Sequence, residues 1–146
     1  MHENRLYPNP TQRSGYRYLL TTKHHGAGSS TDACWASDIT PNEEFQVFDD
    51  CDTHQILDDG GWMYGVLKHG DSLRELGTWQ QQVAAFPYAE PPSAWHGYPL
   101  WAVNFSAPDN RRGEQMRPAK AVFMRMEAVC LITTRQRKRL MKGDHV

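Results

Sequence analysis

The sequence predicts an α+β fold: a small, mostly antiparallel sheet with about three helices, of which the last two form a basic C-terminal helical pair. Before residue 70, short runs of aromatic and β-branched residues alternate with turn-forming Gly, Pro and Asp, a pattern typical of short strands. Towards the C-terminus, apolar residues instead recur at the spacing of one helical face. The strands and helices do not alternate regularly, which disfavours a parallel βαβ sheet.

The length and composition favour a single domain. The chain has 146 residues, of which 39% are hydrophobic, which suffices for one core. We assign residues 1–15 to an N-terminal arm and residues 16–146 to one α+β domain. The chain lacks the features of a secretory signal or of a membrane span. Its three scattered cysteines do not form a disulfide framework, so we expect a soluble, cytoplasmic protein without a membrane partner.

Several segments are predicted to contribute strands. Residues 16–22 and 45–48 are rich in aromatic and β-branched side chains, which favour extended backbone. The Asp-Asp-Gly-Gly sequence at residues 58–61 predicts a hairpin turn, because Gly tolerates the positive φ angles that tight turns need. A further strand is predicted over residues 100–105, after a proline-rich connection that cannot be a regular helix.

The first helix is predicted between residues 71 and 86. Asp71 or Ser72 is placed to cap it by accepting amide hydrogens of its first turn. Apolar residues then follow every three or four positions, as one face of a helix requires. Pro87 ends the segment.

The other two helices are predicted at the C-terminus. Pro118 is placed in the first turn of one, where a missing amide hydrogen is tolerated. Thr133 or Thr134 caps the other, which ends before Gly143.

Charge is divided unevenly along the chain. Residues 24–67 carry nine carboxylates and no Lys or Arg, whereas residues 111–146 carry ten Lys and Arg against three carboxylates. The formal net charge of −1 is therefore a cancellation. A surface of one sign attracts partners of the other, so the distribution of the two segments over the folded surface bears directly on function.

Four cations near the C-terminus are predicted to share one helical face. Arg135, Lys138, Arg139 and Lys142 stand in the i, i+3, i+4, i+7 relation, so they repel one another on an isolated helix. A negative partner, either nucleic acid or an acidic protein surface, would relieve that repulsion. The alternatives are a solvated helix face and internal neutralisation by the acidic segment.

The acidic residues suggest two other sites. The carboxylates between residues 32 and 59 are suited to mimic a polyanion and bind a basic protein, as an inhibitor or immunity-type domain would. If the strand at residues 45–48 continues, Asp50, Asp52 and His54 lie on one face, with ligand types that suit a divalent metal. Such a strand spaces them too widely to converge without a turn. No cofactor is predicted, and the metal is kept as a lesser alternative.

The connection at residues 87–99 offers a different kind of site. Its prolines hold aromatic rings at fixed positions, and His96 stands between Trp95 and Tyr98. If this loop borders a pocket, His96 is a candidate catalytic residue, and Arg111 and Arg112 are candidates to bind an anionic group.

These observations name no reaction and leave open whether the protein is an enzyme. We place first a non-enzymatic binding module that contacts an anionic partner, such as nucleic acid, through the C-terminal cations. A protein-interaction domain using the acidic segment, and a small enzyme or ligand-binding protein using the aromatic loop, remain as alternatives.

Overall fold

A computed structural model describes residues 5–8, 17–20, 34–91, 93–100 and 118–146. Within these ranges, in chain order, the strands are β1 (Arg5–Pro8), β2 (Arg17–Leu20), β3 (Met63–Gly65), β4 (Lys68–His69), β5 (Ser72–Leu73), β6 (Ala84–Phe86) and β7 (Tyr98–Pro99). The helices are α1 (Pro41–His54), α2 (Lys120–Ala128) and α3 (Thr134–Met141). The predicted α+β class is confirmed.

All strand pairs among the described residues are antiparallel. β3, β6 and β7 form a three-stranded sheet with β6 in the middle, while β1 pairs with β2 and β4 pairs with β5. Of the predicted strand at residues 16–22, residues 17–20 are confirmed as β2, and the other three lie outside the described residues. The partner strand β1 comes from the segment that the sequence assigned to the N-terminal arm.

None of the helices in the described ranges is both long enough and apolar enough to cross a membrane.

The predicted strand at residues 45–48 is wrong, because these residues lie inside α1. Thr40 caps this helix: its hydroxyl accepts from the Glu43 amide, and the Glu43 carboxylate accepts from the Thr40 amide in return. Pro41 occupies the first turn, where it is tolerated. Val47 and Phe48 are buried one turn before Cys51, so the apolar run that suggested a strand is the core-facing side of a helix.

The predicted helix at residues 71–86 is also wrong. Gly70, with a φ of +60°, begins the two-residue turn that joins β4 to β5, and glycine is favoured there because such hairpin turns need a positive φ. A Cβ on Gly77 would lie 2.0 Å from the Gln81 Oε1 atom, so the chain folds back tightly at this point. The last three residues of the segment, Ala84–Phe86, form the buried middle strand β6. Their apolar run fits a strand enclosed on both faces.

Two further predictions, a turn and a non-helical connection, agree with the structure, and one predicted strand lies mostly outside the described residues. The turn at residues 58–61 is confirmed, since the Asp58 amide donates to the Trp62 carbonyl at 3.0 Å and Leu57 bridges Met63. The described residues of the connection, 87–91 and 93–97, are not helical, as expected. Of the predicted strand at 100–105, Leu100 lies outside any strand and the remainder lies outside the described residues.

Aromatic rings fill the core between β2, α1 and the three-stranded sheet. The Tyr18 ring lies with its centroid 4.9 Å from that of Phe48 and 5.8 Å from that of Phe86. Trp95 packs 6.0 Å from Phe48, and its backbone bonds to β2 on both sides, through Arg17 and Leu19. Burying several aromatic side chains supplies much of a small domain's stability.

A polar contact lies inside this aromatic core. The Tyr18 hydroxyl, fully buried, donates a hydrogen bond to the carboxylate of Glu44 on α1, which is also buried. Burial, followed by the nearby Glu44 charge, raises the pKa of Tyr18 well above its usual value. The phenol is therefore the donor, which is what a buried carboxylate requires.

All three helices end in the same way. A backbone amide two or three residues beyond the last helical residue donates back to the carbonyl five residues before it: Ile56 to Cys51, Leu131 to Met126, and Asp144 to Arg139. The residue before each of these amides takes a positive φ: Gln55 (52°), Cys130 (64°) and Gly143 (82°). This is the Schellman ending, in which glycine is the usual residue because a Cβ is disfavoured there. Only Gly143 follows that preference.

We therefore expect Cys130→Gly to stabilise the protein. Glycine removes the steric cost of the left-handed conformation, and the free energy of unfolding should rise by about 0.5–1 kcal/mol. A urea titration measures this change. Ala121→Gly, at an exposed position inside α2, is the matched control and should lower the free energy of unfolding by about 1 kcal/mol. Equal losses from both substitutions would contradict the assigned ending.

Candidate functional site

α3 is capped at both ends by residues within or next to the helix. The Thr133 hydroxyl accepts from the Gln136 amide at 3.1 Å, and the Gln136 side chain accepts from the Thr133 amide at 2.9 Å. Reciprocal bonds of this kind satisfy amides that would otherwise lack partners. With Gly143 ending the helix, the predicted cap and the predicted end are both confirmed.

One side of α3 attaches the helix to the rest of the protein. Leu140 is buried, and the Gln136 side-chain amide donates to the Asp71 carbonyl at 3.2 Å. Beyond the helix, the Val146 amide donates to the buried side chain of Gln82 at 2.7 Å, and Gln82 donates back to the Val146 carbonyl. The helix is thus held by Gln136 in its first turn, by Leu140 in its last turn, and by the segment after its end.

A further attachment joins α3 to α2. The Glu127 carboxylate accepts from the Thr134 hydroxyl at 2.6 Å and also from the Arg137 guanidinium. These two bonds, with the charges of Arg137 and Lys138, hold the pKa of Glu127 below its usual value. Arg137, whose side chain is only 15% exposed, therefore serves the contact between the two helices.

The four cations predicted to share a face lie on the other side of α3. Arg135, Lys138, Arg139 and Lys142 are all exposed. At 100° and 1.5 Å per residue, they cover an arc of about 100° and a length of about 10 Å along the axis. We call these four side chains the cationic face. Apart from Thr134, every exposed position between residues 134 and 142 belongs to it.

Described residues of the acidic and basic segments meet at the end of α1. The Arg125 side chain on α2 donates through two nitrogens to the His54 carbonyl, at 3.2 and 3.1 Å. That carbonyl belongs to the last turn of α1, where the helix dipole attracts a cation. The contact uses the backbone of α1 and leaves the cationic face uninvolved.

Most carboxylates of the acidic segment are bound within the fold. The described ones with side-chain partners are Asp38 and Glu43 with Arg74, Glu44 with Tyr18, Asp50 with Gln46, Asp52 with Gln55, and Asp58 with Tyr64. Glu44 and Asp52 are also buried. Arg74 offsets part of the charge of Asp38 and Glu43, and the two buried carboxylates are withheld from the surface, whereas hydrogen bonds from neutral side chains leave the charge of the other carboxylates in place.

Asp50, Asp52 and His54 lie on α1 and not on a strand. Positions four apart share a helix face, so Asp50 and His54 lie together while Asp52 points elsewhere and is fully buried. Among the described residues, no group of three His, Cys, Asp or Glu side chains is arranged to hold a metal ion. The strand geometry behind the predicted metal site is therefore not found, and metal binding stays a prediction.

The aromatic connection packs on the core. Trp95 is buried and Tyr88 meets it edge-on at 5.8 Å. The Trp35 indole donates to the Gly97 carbonyl at 3.0 Å, so both neighbours of His96 are fixed to the core. His96 itself is half-buried. Its proposed partners Arg111 and Arg112 lie outside the described residues, so the catalytic hypothesis for these three residues stays a prediction.

Sequence reasoning missed the residues that orient the cationic face. Gln82 and Gln136 are uncharged and carry no motif for binding a distant backbone. The Thr133–Gln136 spacing was a usable signal, since Thr followed three residues later by Gln marks a helix start. The Gln82–Val146 contact joins residues 64 apart in the chain and leaves no local pattern.

Comparison with known protein families, curated proteins and solved structures gives no significant match to this chain.

The Glu127 contact predicts a pH-dependent effect. Because folding lowers the pKa of Glu127, its contribution to stability is present above the unfolded pKa and is lost as the pH falls through the folded one. Glu127→Gln should therefore lower the Tm at pH 7, and the difference from the parent should shrink well below pH 4.5. Glu90→Gln, an exposed carboxylate elsewhere, is the control. A Glu127→Gln deficit that is constant with pH would contradict this role.

Proposed function

We propose that the protein is a nucleic-acid-binding module that contacts phosphate groups through the cationic face of α3. The proposal rests on the observation that the side chains on the two sides of this helix have different roles. Gln136, Arg137 and Leu140 attach α3 to the fold, while four cations are directed outwards together.

The cationic face has an energetic cost within the isolated protein. Arg135 lies within one turn of Lys138 and Arg139, and both lie within one turn of Lys142. Each like-charge pair at this spacing destabilises a helix by roughly 0.2–0.5 kcal/mol. Arg135 also stands in the first turn, where the helix dipole disfavours a cation. Phosphate groups would turn these unfavourable terms into favourable contacts.

The make-up of the face favours nucleic acid over an acidic protein. Protein interfaces have an apolar centre and are depleted in Lys, whereas nucleic-acid interfaces are more polar and much more positively charged. The exposed positions of residues 134–142 hold four cations and Thr134, with no apolar side chain among them.

The competing use of the acidic segment has less support. Glu44 and Asp52 are buried, and Arg74 already pairs with Glu43 at 2.8 Å. A polyanion mimic needs its carboxylates available to the partner, so the basic surface is the better candidate.

Salt dependence tests the proposal. With four phosphate contacts, the affinity for duplex DNA should fall roughly 150-fold between about 50 and 200 mM salt, because each contact releases close to one counterion. Fluorescence anisotropy with a labelled duplex measures this. Arg139→Gln should make the slope of log affinity against log salt shallower by about 0.9.

Lys68→Gln is the matched control, because Lys68 is an exposed cation on the β4–β5 hairpin. It removes the same charge and should leave the slope unchanged. An equal change in both variants would mean that overall charge, and not α3, governs binding. No binding by the parent protein at low salt would refute the proposed function.

A further inference from the structure

We infer that the cationic face binds double-stranded nucleic acid through its phosphate backbone, independently of sequence, in preference to single strands. This inference rests on the proposed function and specifies its partner. It follows from three observations: the chemistry of the surface, its rigidity and its charge density.

The first observation is that the C-terminal unit offers no base-stacking surface. Proteins that bind single strands combine a basic groove with aromatic side chains on which the bases stack, worth roughly 1–3 kcal/mol per base. Between residues 118 and 146 the only Phe, Tyr or Trp is Phe123, which is 2% exposed, and the exposed ring of His145 pairs with the Glu75 carboxylate at 3.2 Å. Phosphate contacts are therefore the main interaction that this surface offers.

An exposed aromatic side chain elsewhere in the described ranges lies in acidic surroundings. Tyr88, 49% exposed, is near Glu90 in the chain and packs beside Gly61, where an added Cβ would lie 3.1 Å from its ring. Gly61 closes the turn that begins with Asp58 and Asp59. The negative charge of these neighbours would repel the phosphates of a strand stacked on Tyr88.

The second observation is that α3 presents its cations from a fixed helix. Gln136 holds the start of the helix to the Asp71 carbonyl, and Gln82 holds the segment after its end. A duplex also holds its phosphates at fixed positions, whereas a flexible single strand loses conformational freedom when it is ordered on such a surface. Two preorganised surfaces therefore associate at a lower entropic cost.

The third observation is charge density. The cationic face extends about 10 Å along α3, a length over which a duplex carries roughly six phosphate charges and a single strand about three. Four cations therefore exceed the phosphates that a single strand offers over this length, whereas a duplex offers enough for each cation. No exposed Asn or Gln stands among them to read adenine edges, and guanine is the one base that Arg and Lys read. Because these cations contact phosphates in this inference, we expect little dependence on sequence.

The experiment compares ligands matched in their number of phosphates. Anisotropy is measured with a labelled DNA duplex, a second duplex of unrelated sequence, an RNA duplex and an oligothymidylate with the same total phosphates. The duplexes should bind more tightly than the oligothymidylate, with salt slopes near −3.6 against −2.8 for four contacts. The two DNA duplexes should bind with equal affinity.

The outcomes separate this inference from the proposed function. Oligothymidylate binding as tightly as the duplexes, or a strong preference between the two DNA sequences, would overturn the inference and leave the nucleic-acid function standing. Polyglutamate that competes as well as duplex DNA would overturn both, because it would point to an acidic protein partner. Arg139→Gln should weaken duplex binding and Lys68→Gln should not, which ties any duplex preference to α3.

Discussion

The hydrogen bond from the Tyr18 hydroxyl to the Glu44 carboxylate lies where β2, α1 and the three-stranded sheet meet, and the rest of the described structure is arranged around it. A carboxylate in an aromatic core is costly unless it is hydrogen-bonded, so the bond specifies which turn of α1 faces β2. Phe48 and Phe86 then pack on the Tyr18 ring. Replacing the phenol would leave a buried acceptor short of a donor, a loss of roughly 1–3 kcal/mol or more for a charged group.

The position of α1 is linked to that of the cationic face through α2, by contacts that differ in strength. Arg125 meets the end of α1 at the His54 carbonyl, and Glu127 joins α2 to α3 through Arg137. Both contacts are close to solvent, where ion pairs and polar bonds contribute little to stability. Truncating a buried side chain such as Phe123 costs several times more, about 3–5 kcal/mol. The buried faces of the two helices therefore hold them in place, and the polar contacts mainly set their orientation.

Local signals were enough for the two C-terminal helices and for the turn at residues 58–61, and they were misleading for residues 45–48 and 71–86. Thr133 and Gly143 mark a helix by their own chemistry, and the turn at residues 58–61 needs its glycines, so these features were predictable. The segment from 71 to 86 has helical spacing, yet pairing of Ala84–Phe86 between β3 and β7 decides its structure, and tertiary pairing has no local signature. Helix ends at Gln55 and Cys130 were hidden because neither residue is the usual glycine. For the site, the sequence predicted which cations share a face but not the glutamines that orient it.

We propose that the cationic face serves a partner at the expense of the stability of the fold, a common relation between function and stability. Arg135 tests it most directly, because it stands in the first turn of α3 and repels two cations one turn away. Arg135→Glu should raise the free energy of unfolding, measured by urea titration, by about 1 kcal/mol through the helix dipole and new i, i+3 and i, i+4 pairs, while duplex affinity falls. A lower free energy of unfolding would contradict the account, because it would show that Arg135 stabilises the fold.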